Sequence, residues 1–210
     1  MTDVIESIAQ EGKGVRIRWE SGASLFLSRA LWREWPFGGE GAPVSPEEAE
    51  SYFLPLQYSE ALEYAVRLLA MRDHACGEVR RKLQARLYLP RAIERVMDKL
   101  IREQLLDDAA FAAKWAAYRA RSGLGRARIL QELRQKCVEG RLAERAVALD
   151  EAGQAQAKDA AVALACKLLR RYRDDPPNAA MRKLLSAMAR RGYAYDESVR
   201  AVERAMAQEN

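Results

Sequence analysis

Apolar residues recur every three to four positions along most of this chain. Between Tyr58 and Leu106 three such stripes follow one another: Leu62, Ala65, Val66 and Leu69; then Val79, Leu83 and Leu87; then Ile93, Val96, Met97 and Leu100. That spacing puts each set on one face of a 3.6-residue helix. A lone amphipathic helix leaves its stripe in water, whereas three can bury their stripes against one another. The stretch therefore reads as a three-helix unit. Its second helix closes with Leu83-Gln84-Ala85-Arg86-Leu87-Tyr88, and its third begins near Ala92-Ile93, after Leu89-Pro90-Arg91.

The closing pattern returns twice. Leu133-Arg134-Gln135-Lys136-Cys137-Val138 is followed by Glu139-Gly140-Arg141 and a helix from Leu142-Ala143, and Met188-Ala189-Arg190-Arg191-Gly192-Tyr193 by a helix from about Asp196. The shared order is apolar, two variable, basic, small or apolar, then apolar, at offsets of 50 and 55 residues. Self-similarity at such a period marks a modular array. The leading helices match too. Asp107-Asp108 caps a helix that carries Phe111, Trp115 and Tyr118 on one face and breaks at Ser122-Gly123-Leu124-Gly125. The third unit leads with a helix from about Ala155 to Tyr172, with Val162, Ala165, Leu168 and Leu169 inward, stopped by Asp174-Asp175-Pro176-Pro177. Gly192 is a natural C-terminal cap.

The first residues switch to a period of two. Val15 to Trp19 alternates as a half-buried strand does, Ser24 to Leu27 is a second strand, Ser21-Gly22 is the hairpin turn between them, and Val4 to Ile8 is a candidate first strand ended by Glu11-Gly12. Such a sheet is marginal alone and is expected to lean on the first helices. Trp32, Trp35 and Phe37 have two readings, stacking on nucleic-acid bases or plugging this segment onto its neighbour, and the second is the commoner. Ser45-Pro46-Glu47-Glu48 starts a short helix to about Phe53, which Pro55 is expected to end. The expected fold is mainly α: three tandem three-helix repeats forming an elongated array, with a small N-terminal antiparallel β segment. The expected divisions are 1–57, 58–106, 107–152 and 153–210.

Composition narrows the class. Of 210 residues, 49% are apolar and 31% charged, too apolar for a disordered chain. No apolar run approaches the roughly 20 residues that cross a bilayer. Met1–Ile8 holds two acids and no base, unlike a secretory signal, so a cytoplasmic protein without a membrane partner is expected. Cys76, Cys137 and Cys166 form no metal or disulfide pattern and are expected to be reduced and partly buried. His74, the one histidine, sits beside Asp73 in a turn, where capping explains it. No glycine-rich phosphate loop, ligand cluster or nucleophile with a base is visible, so neither catalysis nor a cofactor is expected.

Net charge is +5, unevenly spread: residues 1–57 hold −4 and residues 58–210 hold +9. A basic helical array suggests a polyanion or an acidic partner surface. The candidate surface is Arg119, Arg121, Arg126, Arg128, Arg134 and Lys136 in the second unit and Arg182, Lys183, Arg190 and Arg191 in the third. Arginine suits such a surface because its planar fork meets carboxylate or phosphate in bidentate fashion. Against this, Glu78 and Glu132 lie among the basic residues, and some cations are expected to be spent on intrahelical pairs.

The segments LEYAVRLLAMRDHACGEVRRKL, LIREQLLDDAAFAAKWAAYRARSGLGRARILQELRQK and ARRGYAYD resemble the RecX family of recombination regulators over roughly 58–207. The middle segment is the most specific. In that family a glycine usually precedes the lead-in to the third helix of the middle repeat; here Cys137 stands there, and Leu87 stands in the matching place of the first repeat. The resemblance implies tandem three-helix units in an elongated, curved molecule. It implies a protein that binds the RecA recombinase filament, with single-stranded DNA met through that filament, and restrains filament growth, ATP hydrolysis and strand exchange; a monomer is expected. On that reading, reversing Arg126, Arg128 and Arg134 to Glu weakens filament binding without unfolding the chain. The alternative is a sequence-tolerant DNA-binding protein of helix-turn-helix-like units, although no single base-reading helix stands out.

Overall fold

The alternating segment folds as three antiparallel strands, β1 (Ile5–Glu11), β2 (Gly14–Trp19) and β3 (Ser24–Ser28), in the order β1-β2-β3. The structure is a computed structural model and describes residues 3–148 and 151–209. Register pairs Ile8 with Ile17 and Val15 with Leu27, which sends Val15, Ile17 and Trp19 from β2 and Leu25 and Leu27 from β3 to one buried face. Gly22, at φ 85°, makes the β2–β3 turn. The indole of Trp19 donates to the Val44 carbonyl at 2.7 Å, which satisfies its one buried polar atom.

A four-residue turn of helix, α1 (Arg29–Trp32), leads to the aromatic segment. Trp35 stacks on Phe53 at 5.7 Å and on Trp32 at 5.5 Å, and Phe37 packs edge-on against Trp35. These rings close the sheet's core, with Phe53 and Tyr52 of the same segment as their aromatic neighbours.

Helix α2 (Pro46–Met71) corrects the sequence reading: Pro55 lies inside it and does not end it. An interior proline removes one hydrogen bond and costs about 3 kcal/mol. The helix continues because it is buried on both sides of the proline. Ala49, Phe53 and Leu54 belong to the sheet's core, and Ala61 and Ala65 to the core of the first three-helix unit. Burying a side chain such as Phe53 or Leu54 is worth about 1.5–3 kcal/mol each. The start is as read, with the Ser45 hydroxyl accepting from the Glu48 amide at 3.1 Å. Gln57, fully buried, joins the two cores. Its Nε2 donates to the Phe26 carbonyl on β3 at 2.9 Å, and its Oε1 accepts from the Leu89 amide at 2.7 Å.

The first unit is completed by α3 (Cys76–Gln84) and α4 (Pro90–Arg102). Val79 and Leu83 on α3 and Ile93, Val96, Met97 and Leu100 on α4 are buried as the stripes require, whereas Leu87, expected in the α3 stripe, lies past the end of that helix and is exposed. On α2 the expected Ala65 is buried and Leu62 and Leu69 pack against the core, but one position departs. Ala61, Ala65 and Leu68 point inward, while Val66 is exposed. His74 is buried in the α2–α3 turn with its Nδ1 2.9 Å from the Arg72 carbonyl. The chain divides into two compact units, and this one ends at Leu106.

The other unit, from Asp107, holds six helices among its described residues: α5 (Asp108–Arg121), α6 (Arg126–Gln135), α7 (Gly140–Val147), α8 (Glu151–Arg171), α9 (Pro177–Arg190) and α10 (Tyr195–Glu209). Asp107 caps α5, its carboxylate accepting from the amides of Ala109 and Ala110 at 2.8 and 2.9 Å. Val162, Ala165, Leu168, Leu184, Met188 and Val202 form the core of α8, α9 and α10. Cys137 is exposed, not partly buried; all three cysteines are free thiols.

The repeated closing pattern is a helix stop. Leu87, Cys137 and Gly192 all sit at positive φ, at 61°, 61° and 87°. After α6 the amides of Cys137 and Val138 donate to the carbonyls of Arg134 and Leu133, and after α9 those of Gly192 and Tyr193 donate to Ala189 and Met188. That is the Schellman arrangement, in which an apolar residue in the last turn meets the apolar residue just past the left-handed one. The pairs Leu133/Val138 and Met188/Tyr193 are those two apolar positions.

Candidate basic interface

The candidate cations sort by what holds them. Glu132 on α6 is buried. Burial alone would raise its carboxyl, but bidentate bonds from Arg119 on α5, at 2.7 and 2.6 Å, and one from the Trp115 indole, at 3.2 Å, hold it below the usual carboxylate range. Arg128 approaches the same carboxylate at 3.6 Å. The first unit has a counterpart: Arg72, at the end of α2, grips the buried Glu78 of α3 at 2.6 and 3.1 Å. Each acid is thus held by an arginine from outside its own helix, and Glu132 has in addition the intrahelical pair with Arg128. Arg119 is a tie between helices and only about a quarter exposed.

Lys136 lies over the Trp115 ring at 4.1 Å, and the Arg119 guanidinium is 5.6 Å from the same ring. Phe111, Trp115 and Tyr118 run as a ladder along α5, with Phe111 buried and Tyr118 56% exposed. Arg119, Lys136 and the ladder therefore form one cluster. A second forms where the α9–α10 turn meets the start of α6. The Gly125 amide donates to the Arg191 carbonyl at 2.8 Å, the Ala127 amide donates to the Gly192 carbonyl at 3.2 Å, and Gly192 abuts the Arg128 backbone. This gathers Arg128 and Arg191 beside Arg126, whose guanidinium pairs with Glu144 on α7.

The remaining residues are separate. Lys183 pairs with Asp175 at 2.7 Å, and Arg190 donates to the Ser186 hydroxyl at 2.7 Å. Arg121, Arg134 and Arg182 are exposed and form no ion pair among the described residues. Of Arg126, Arg128 and Arg134, whose reversal the sequence suggests, Arg126 pairs with Glu144, Arg128 lies 3.6 Å from Glu132, and Arg134 forms no ion pair among the described residues.

Among the described residues no group of three or more His, Cys, Asp or Glu is placed to hold a metal ion, and no helix is long and apolar enough to cross a membrane. Three tandem helical units with cations spread over several helices define a class of protein: a helical repeat protein. Family models described as the first, second and third three-helix domains of RecX match residues 61–100, 107–147 and 156–202 in that order. The chain belongs to the RecX family.

The regulatory protein RecX of Cronobacter sakazakii is 45% identical over 89 residues, covering 38% of this chain and 54% of that one. That of Escherichia coli (strain SMS-3-5) is 41% identical over 108 residues, covering 47% and 65%. The chain thus spans about half the length of the curated relatives it matches. Two crystal structures share the fold. One is a regulatory protein RecX, with TM-score 0.63 and 20% identity, covering 93% of this chain and 96% of that one. The other is RecX from Lactobacillus salivarius, with TM-score 0.64 and 23% identity, covering 71% and 96%.

Proposed function

We propose that this chain is a non-enzymatic regulator that binds the RecA recombinase filament on single-stranded DNA and restrains its ATP hydrolysis and strand exchange in recombination and repair. On this reading it is a cytoplasmic monomer that needs no cofactor. The match to all three RecX domains, in order over 61–202, carries the proposal. The exposed Arg121, Arg134 and Arg182, which form no ion pair among the described residues, support it: such cations can meet carboxylates or phosphates at little cost to the fold.

The test is ATP hydrolysis by a RecA from the same organism on single-stranded DNA, titrated with this protein. Inhibition at substoichiometric amounts is expected. The variant Arg121→Glu/Arg134→Glu/Arg182→Glu should keep its circular dichroism and need about tenfold more protein for the same inhibition.

A second reading, sequence-tolerant DNA binding, is favoured by the exposed Tyr118 at the end of its aromatic ladder, beside Arg121. A ring next to a free cation suits an unpaired base and its phosphate. No inhibition, together with steeply salt-dependent binding to naked DNA, would select that reading instead.

A further inference from the structure

The second and third repeats enclose a cleft of about 720 Å³ that the basic surface does not account for. Its floor is aliphatic and mostly small: Ala116 on α5, Ile129 on α6, Ala161 and Val162 on α8, and Ala201 on α10, all buried. Among the described residues its rim is basic, with Arg126, Lys158, Arg200 and Arg204 against one acid, Glu197. That acid is already engaged, since its Oε2 accepts from the Ala194 amide at the start of α10, at 3.1 Å. Arg126 is paired with Glu144, and Arg200 with Asp196 at 2.5 Å. Lys158 and Arg204 are exposed and form no ion pair among the described residues. A concave apolar floor with a few charged groups at its mouth is the usual form of a ligand site, and the volume falls in the usual range.

We propose that this cleft binds an acidic peptide segment of a partner protein, seating an aliphatic side chain on the alanine floor while flanking carboxylates meet Lys158 and Arg204. The floor selects the side chain. Small residues leave depth for a branched aliphatic group, and nothing polar lies there to be satisfied. The rim selects the charge, because two unpartnered cations gain most from carboxylates brought alongside. A nucleic-acid strand fits less well. Bases stack on exposed rings, and the one aromatic residue lining the cleft, Tyr193, is half-buried against the core of the third repeat. The mode is that of an amphipathic segment laid into a groove.

The probe is a fluorescein-labelled peptide of about twelve aspartates and glutamates with one central leucine, titrated with the full chain and read by anisotropy. Burying one leucine should make it bind at least about tenfold more tightly than the same peptide with leucine replaced by aspartate. Lys158→Glu/Arg204→Glu should weaken it about tenfold or more, and both positions are exposed, so folding is not at stake. Ala157→Trp, at a half-buried position lining the cleft, should block it in a chain whose circular dichroism is unchanged. Equal affinity for the two peptides, wild-type affinity in the charge-reversed variant, or displacement by an oligothymidylate of the same length at lower concentration than unlabelled peptide would each overturn the proposal. The assay contains no recombinase, so its outcome is separate from that of the ATPase test.

Discussion

Equivalent helix stops in the second and third repeats predict opposite responses to glycine chemistry. Cys137 and Gly192 both hold the left-handed conformation after their helices, at φ 61° and 87°. A non-glycine residue there costs about 1–2 kcal/mol. Glycine avoids that cost but loses about 0.5–1 kcal/mol more chain entropy on folding. Cys137 is exposed and contributes little burial, so Cys137→Gly should stabilise by about 0.5–1 kcal/mol. Gly192→Ala reverses the sign and adds a collision. A β-carbon at 192 would lie 2.3 Å from the Arg128 backbone nitrogen and 2.5 Å from its β-carbon. Neither atom can retreat while the Gly125 and Ala127 amides tie α6 to this turn. Overpacking of about 1–3 kcal/mol on top of the reversed net cost of about 0.5–1 kcal/mol gives a loss of about 1.5–4 kcal/mol. Urea unfolding followed by far-ultraviolet circular dichroism reads both. With a slope near 2 kcal/mol per molar, Cys137→Gly should raise the midpoint by about 0.2–0.5 M and Gly192→Ala lower it by about 1 M or more. Cys137→Ala, which keeps the backbone cost, should not reproduce the gain. A midpoint for Cys137→Gly at or below wild type, or an unchanged one for Gly192→Ala, would refute the argument.

Glu132 has a depressed carboxyl pKa, so the stability it contributes is fully present above its unfolded pKa of about 4.3 and is lost as pH falls through its folded value. The Glu132→Gln variant should be less stable at pH 7, and its deficit should shrink in acid-titrated thermal melts; a pH-independent deficit would contradict the pairing. Gln57→Leu strips partners from the buried Phe26 carbonyl and Leu89 amide and should cost about 2–4 kcal/mol, read by hydrogen exchange at the Leu89 amide. Pro55→Ala restores an amide donor inside α2 and should stabilise by about 1–3 kcal/mol in thermal melts, whereas a proline that truly ended the helix would leave stability nearly unchanged.

Much of the fold is legible along the chain because it rests on neighbours in sequence. The α4 stripe of Ile93, Val96, Met97 and Leu100, the Ser45 and Asp107 caps and the β2–β3 turn at Gly22 each need only the residues within a turn or two of them. The repeated closing pattern is legible for the same reason. It is a local hydrogen-bonding motif with an apolar pair, and it is complete with cysteine at the left-handed position as well as with glycine because the pair and the backbone bonds are the same. The candidate surface is less legible. A run of arginines in sequence does not distinguish Arg119, clamped on a buried carboxylate thirteen residues away, from Arg121, which forms no ion pair among the described residues.

The sequence by itself determined the number of helical units, the positions of their stops, the presence of the small sheet and the family to which the chain belongs. All of these follow from periodicity, capping and motif, which act over short spans of chain. Tertiary structure alone decided the rest. It carried α2 through Pro55 because two cores bury its two halves, and it turned Val66 outward in favour of Ala61 and Leu68. It committed Arg119 to Glu132, and it brought Gly125 against Gly192 where no β-carbon fits. In each case the deciding energy comes from a residue distant in sequence. Burial, charge pairing and close backbone approach depend on what lies across the space between elements.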